Sequence, residues 1–217
     1  MKNDLKTELI RRATHIISDS DPSHDISHAL RVLANSEHIT KYEGGDLEVI
    51  IPAALFHDAV NYRKDDPRSK YAAEESAIVA ERVLTDIAGY DPAKTALVKQ
   101  AIIEHSYNKG IRPTLLESKI VQDADRLEAT GAIAIMRTFS SSGQMGRRFY
   151  HPEDPLCENR EPVSVLYALD LFHDRLLKVE NLMNTETAKR MARNRTEFLY
   201  TFMEQLRTEL GEPTRFS

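Results

Sequence analysis

His57 and Asp58 follow directly on the apolar run Val49-Ile50-Ile51-Pro52-Ala53-Ala54-Leu55-Phe56, so two ionisable side chains stand at the end of a segment that reads as buried. An imidazole and a carboxylate buried without partners are costly, and such a pair is hydrogen-bonded, ion-paired or bound to metal. A hydrogen bond at a helix end is the plain reading of two letters, and the same dipeptide recurs at His24-Asp25 and His173-Asp174. A metal ion needs three or four ligands. The chain offers the others on separate predicted helices, at His28 and at one acid of Asp123-Ala124-Asp125. Imidazole nitrogen with carboxylate oxygen suits one divalent ion without any cysteine: Mn²⁺ is the first expectation, and Ni²⁺, Fe²⁺, Mg²⁺, Zn²⁺ or Co²⁺ remain compatible. Such an ion lowers the pKa of bound water to about 7 and polarises a phosphoryl oxygen, which is the chemistry of phosphate-ester or anhydride hydrolysis.

His28 lies on or beside the apolar stripe of its helix, where a satisfied core histidine would look the same. His24 falls a turn earlier, near the predicted helix start, and Asp25 reads as an N-terminal acid. Asp123 and Asp125 point about 200° apart on a helix, so only one can readily face an ion, and the apolar neighbours on both sides leave the choice open. Around His173-Asp174, Tyr167, Leu171, Leu176 and Leu177 make an ordinary amphipathic helix, and no ligand set is completed nearby.

The elements that carry these residues are helical. Apolar positions three and four apart predict helices over 5–17, 25–43, 72–87, 93–105, 115–139, 163–183 and 187–210, and Gly44-Gly45 closes the second. Asp46 caps a further helix that ends near Asn61, with Pro52 expected to kink or divide it. Sustained period-two alternation is absent, so the fold class is all-α. The stretches 106–113 and 140–162 break the pattern; the second, rich in Gly and Pro, is long enough to act as a lid or simply to link. A single domain over 1–217 is expected, with a core at about 23–140 and additional C-terminal helices over 163–210.

With 41% hydrophobic and 29% charged residues the chain is globular, and its formal net charge of -5 argues against nucleic-acid polymers and anionic membranes as partners. One cysteine, Cys157, rules out an intramolecular disulfide and suits a reducing, cytoplasmic address. The charged amino-terminal segment lacks the apolar core of a secretory signal, and no stretch approaches the roughly 20 apolar residues of a membrane span.

The ordered set of His, then His-Asp, then Asp resembles the HD superfamily of metal-dependent phosphohydrolases. The resemblance extends through Ser23-His24-Asp25 with His28 and Arg31-Val32, Glu104-His105-Ser106-Tyr107, Gln122 to Glu128, Gly131-Ala132-Ile133 and Arg137-Thr138-Phe139, and is similar to a subgroup of small, stand-alone bacterial HD proteins. It covers almost the whole chain from Ser23 to the last helix. It implies a helical HD domain with a divalent metal held by His28, His57, Asp58 and Asp125. Asp123 would then stand behind a ligand histidine and orient it. Better-known relatives place an acid three residues after the His-Asp pair; here that position is Asn61, which cannot serve as a carboxylate base but can orient water or substrate. The subgroup usually shows His where Leu171 stands.

His105 is the next candidate for a catalytic or substrate-contacting role, its plain alternative being a capped helix end. For phosphate binding the candidates are Lys64 and Arg126, then Arg31 and Lys109, with Arg147 and Tyr150 from the long loop; ordinary ion pairs or solvated loop positions are their alternatives. The function expected is a metal-dependent phosphohydrolase of a nucleotide or small phosphorylated metabolite, with pyrophosphatase, phosphomonoesterase and phosphodiesterase left unresolved. The rivals are a nucleotide-sensing or metal-stabilised module without turnover and a helical scaffold. A homodimer is compatible with everything above.

Overall fold

The computed structural model describes residues 2–17, 25–62, 66–106 and 110–211, and these are all-α. Its helices are α1 (Lys2–Ile16), α2 (Ile26–Glu43), α3 (Leu47–Phe56), α4 (Ala72–Thr85), α5 (Pro92–His105), α6 (Leu116–Arg126), α7 (Gly131–Gln144), α8 (Asp170–Asp174) and α9 (Glu186–Glu209). Between the described residues the only β-type pairing is an isolated bridge from Arg148 to Tyr167. The chain falls into two compact units, 1–125 and 126–217.

The first unit is built around α3. Every residue of α3 from Val49 to Phe56 is buried, as an all-apolar helix requires, and α1, α2, α4 and α5 pack against it. Asp25, Asp46 and Asp91 each accept a backbone N–H at the start of α2, α3 and α5, which fixes where those helices begin. Gly45 has φ +106°, and an added Cβ would stand 3.0 Å from Ile50 Cδ1 and 3.3 Å from Ile120 Cδ1, so the turn into α3 requires glycine.

Pro52 does not divide α3, which runs unbroken but stops at Phe56 instead of continuing toward Asn61. Proline removes the N–H that would have served the carbonyl of Glu48, four residues earlier. The Tyr90 hydroxyl donates to that carbonyl at 2.6 Å, so the orphaned acceptor is satisfied from outside the helix.

In the second unit α7, α8 and α9 enclose Ala134, Leu156, Leu169, Leu171, Phe172, Leu176 and Leu199, with Phe172 stacked on Phe202. Two expected helices differ here. The one over 115–139 ends at Arg126, passes through a 3-10 turn, Leu127–Ala129, and resumes at Gly131, which has φ +79° and lies so close to Arg195 that an added Cβ would meet it at 3.0 Å. The one over 163–183 is replaced by the short α8 and a 3-10 segment, Leu176–Leu182. The cause is Asp170: its buried carboxylate takes Arg160 at 2.5 and 2.7 Å and the Val163 N–H at 2.6 Å, while Arg148 pairs its backbone with Leu166 and Ala168. Those contacts hold 163–169 out of a helix. The loop also begins later than expected, because α7 continues to Gln144.

Candidate metal centre

Four segments of the first unit bring their ionisable side chains to one point. His28 lies in the first turn of α2, where its backbone N–H donates to the Asp25 cap at 2.8 Å. His57 and Asp58 follow the last residue of α3, His105 is the last residue of α5, and Asp125 lies in the last turn of α6. Three helices thus end at the site, and the partial negative charge of a helix C-terminus favours a cation there.

His28 Nε2 and His57 Nε2 are 3.2 Å apart. Asp125 Oδ1 lies 3.4 Å from the first and 3.8 Å from the second, and Asp58 Oδ2 lies 4.0 and 3.5 Å from them. Donors bound to one ion at about 2.1 Å stand about 3.0–3.4 Å apart, so these separations are those of a slightly open ligand set. The other oxygen of Asp58 lies 3.6 Å from His105 Nε2. His28, His57 and Asp125 form one group able to hold an ion, and His57, Asp58 and His105 a second that shares His57 with it.

Tautomer follows from the backbone. His57 Nδ1 donates to the Ala54 carbonyl at 2.9 Å, which leaves Nε2 to offer its lone pair inward. His105 is held likewise, its Nδ1 donating to Ile102. Burial pushes the His57 pKa down to about 4 despite the opposing Asp58 carboxylate, so this imidazole is neutral at pH 7, as a ligand must be. At His105 burial also works against the charged form, but Asp58 and Asp125 outweigh it and raise the pKa. Asp125 goes the other way: burial would raise its pKa, yet His28 and His57 hold it well below the usual carboxylate range. The donor chemistry, two carboxylates and neutral imidazole without thiolate, fits a divalent ion. His28, His57, Asp58 and Asp125 would hold it.

A pH dependence follows. The unfolded His57 imidazole takes its proton near 6.5 while the folded one resists until about 4, so metal-free protein has the full benefit above pH 6.5 and loses it as the pH falls toward 4. The loss at pH 4.5 is about 2–3 kcal/mol. His105, with its pKa raised, contributes fully below 6.5 and leaves this acid window unchanged. Urea midpoints of chelator-treated protein at pH 7 and 4.5, beside those of His57→Leu, measure the effect; identical acid sensitivity in both proteins would refute it.

Among the other expected site residues, Asp123 is fully buried, and its oxygens are not among the converging ligand atoms. Asn61 is exposed and Arg31 is half-buried, one turn beyond His28. Lys64, Lys109 and His24 lie outside the described residues. In the second unit, the Arg126 guanidinium donates to the Leu182 carbonyl, the Arg147 backbone N–H donates to the Ser142 carbonyl, and Tyr150 packs on the apolar cluster that also contains Leu171. His173 and Asp174 lie in α8 and join neither converging group.

Two residues that secure these segments, Ser76 and Glu104, had no role assigned from the sequence, although Glu104 stands in the motif Glu104-His105-Ser106-Tyr107. Ser76, fully buried on α4, accepts the Val60 N–H at 3.0 Å and so secures the turn that carries Asp58. Glu104 accepts the Thr114 N–H at 2.9 Å and the Thr114 hydroxyl at 2.7 Å, which anchors the segment after α5 beside His105. Their signal was a polar residue at a buried helical position, too common to single out.

A family model described as HD domain matches residues 25–130, the stretch that holds all five converging side chains. A protein from an uncultured Thermotogales bacterium, described as a predicted HD superfamily hydrolase, is 32% identical, with 95% of this chain and 92% of that one covered at a TM-score of 0.61. The chain belongs to the HD superfamily. An HD-superfamily hydrolase from Bacillus thuringiensis is similar at 29% identity, 98% and 100% coverage and a TM-score of 0.73. Bacillus subtilis YpgQ is 29% identical over 223 residues, covering 97% of this chain and 96% of its own, and its crystal structure in complex with ADP superposes at a TM-score of 0.69 over 95% of both chains. As an HD-superfamily member the chain is a hydrolase of a class whose domains bind a divalent metal. Among the described residues no helix is long and apolar enough to cross a membrane.

Proposed function

We propose that this HD protein is a divalent-metal-dependent phosphohydrolase that acts on a nucleotide, with Mn²⁺ as the first metal to test. The observation that carries the proposal is the convergence of His28, His57, Asp58 and Asp125 at separations of 3.2–4.0 Å. The ADP bound by YpgQ supports a nucleotide as the substrate class.

A bound divalent ion supplies an acidified water and a Lewis acid for a phosphoryl oxygen. The protein does the rest. The neutral His57 and the ionised Asp125 present lone pairs without first losing a proton, and Asp58 turns one oxygen toward His57 and the other toward His105. His105, whose pKa is raised beside Asp58, is suited to hold or deliver a proton at Nε2 when the leaving oxygen departs. Asn61, exposed just after the pair, orients water or substrate by hydrogen bonds rather than as a base. Lys64 and Arg31 supply positive charge for the phosphates.

The test is the metal content of the purified protein, followed by orthophosphate or pyrophosphate release from a panel of nucleoside mono-, di- and triphosphates with added Mn²⁺. Metal bound without release from any of them would leave a sensor module in place of an enzyme. The contribution of Lys64 is separable: Lys64→Ala is expected to raise KM about ten-fold with metal retained. Unchanged kinetics would remove Lys64 from the phosphate site.

A further inference from the structure

The last carbonyls of a helix have no donor within it, and α5 and α6 both end among the ligands. At the end of α6 the carbonyl of Ala124, between Asp123 and Asp125, accepts a hydrogen bond from the Asn35 side-chain amide at 3.2 Å. Asn35 is buried and stands two turns beyond His28 on α2, hence on the same face. At the end of α5 the carbonyl of Glu104, the residue before His105, accepts from the Gln122 side-chain amide at 3.0 Å. Gln122 is also buried and precedes Asp125 by one turn on α6. Each amide therefore sits on a helix that bears one site residue and grips the end of a helix that bears another.

We propose that Asn35 and Gln122 are positioning residues of the metal centre: Asn35 fixes the end of α6 against α2, Gln122 fixes the end of α5 against α6, and together they aim Asp125 and His105 at the point faced by His28, His57 and Asp58. The inference rests on the metal-dependent reading above. Its physical basis is that an unpaired buried carbonyl must move to find a donor. A helix end that moves takes its ligand with it, and metal sites tolerate donor displacements of only about 0.2 Å. Residues that orient ligands from behind are worth about 10–100-fold in metal affinity.

Asn35→Leu and Gln122→Leu keep bulk and remove the donor. Leu9→Ala, at a fully buried position on α1, a helix that bears none of the converging side chains, is a control that lowers stability. Chelator-treated full-length proteins are titrated calorimetrically with Mn²⁺, their Co²⁺ visible spectra are recorded, and metal-free Tm is measured. The expected result is about 10–100-fold weaker Mn²⁺ binding and shifted Co²⁺ bands in both amide variants, with wild-type affinity and bands in Leu9→Ala despite its lower Tm. Amide variants that bind Mn²⁺ as tightly as Leu9→Ala overturn the proposal and leave the metal reading intact. A wild type that binds neither ion overturns both. Should a leucine variant not fold, Asn35→Ser and Gln122→Asn, which keep a donor of shorter reach, carry the same expectation, and wild-type affinity in them counts against the proposal equally.

Discussion

Alanine at Asp58 or at His57 is expected to abolish Mn²⁺ binding and the proposed nucleotide hydrolysis together, while far-ultraviolet circular dichroism retains its helical form. Asp58 faces two histidines: one oxygen lies 3.5 Å from His57 Nε2 and the other 3.6 Å from His105 Nε2. Its loss removes a donor and half the carboxylate charge that attracts the ion, so affinity falls by more than the roughly 100-fold upper bound for residues that only support a ligand. The side chain is 27% exposed, so its truncation leaves the core intact. His57→Ala adds a cavity at a fully buried position beside Phe56 and lowers Tm as well, which makes Asp58→Ala the cleaner measurement. Calorimetric Mn²⁺ titration and phosphate release decide the matter; wild-type turnover in both variants would show that the pair is not part of the active centre.

The second large effect separates two carboxylates on one helix. Asp125→Asn is expected to weaken Mn²⁺ binding by more than about 100-fold, because it neutralises the group that faces both His28 and His57 and offers the ion a poorer ligand. Asp123→Asn should keep affinity within about ten-fold of wild type, since its carboxylate stands outside the converging atoms. Parallel Mn²⁺ titrations distinguish them. Loss of metal in Asp123→Asn with retention in Asp125→Asn would transfer the ligand role to Asp123.

Helical periodicity was sufficient where a helix packs one face on its neighbours. Helices α2, α4, α5 and α9 begin and end within a few residues of where the apolar spacing puts them, and the structure adds the caps Asp91 and Thr185 that start α5 and α9. It failed where a side chain from elsewhere in the chain changed the local balance. Pro52 reads as a break until the Tyr90 hydroxyl, far along the sequence, supplies the missing hydrogen bond to Glu48. The stretch before α8 reads as helix until the Asp170 carboxylate draws Arg160 and the Val163 N–H to itself.

By itself the sequence determined the all-helical class, the order in which ionisable residues fall at helix ends, and the motifs that resemble the HD superfamily, because each is a property of neighbouring residues or of spacing along the chain. The resemblance pointed to Asp125, but its physical reason is tertiary: Asp125 turns toward His28 and His57 while Asp123 is buried outside their converging ligand atoms. Periodicity leaves two acids on either side of Ala124 equivalent; they differ only in the rotation of α6, whose Ala124 carbonyl takes the Asn35 amide and whose own Gln122 amide reaches the Glu104 carbonyl at the end of α5. The shared use of Asp58 by His57 and His105 was likewise hidden, since it requires the ends of α3 and α5 to meet, and no local pattern encodes the distance between two helix ends.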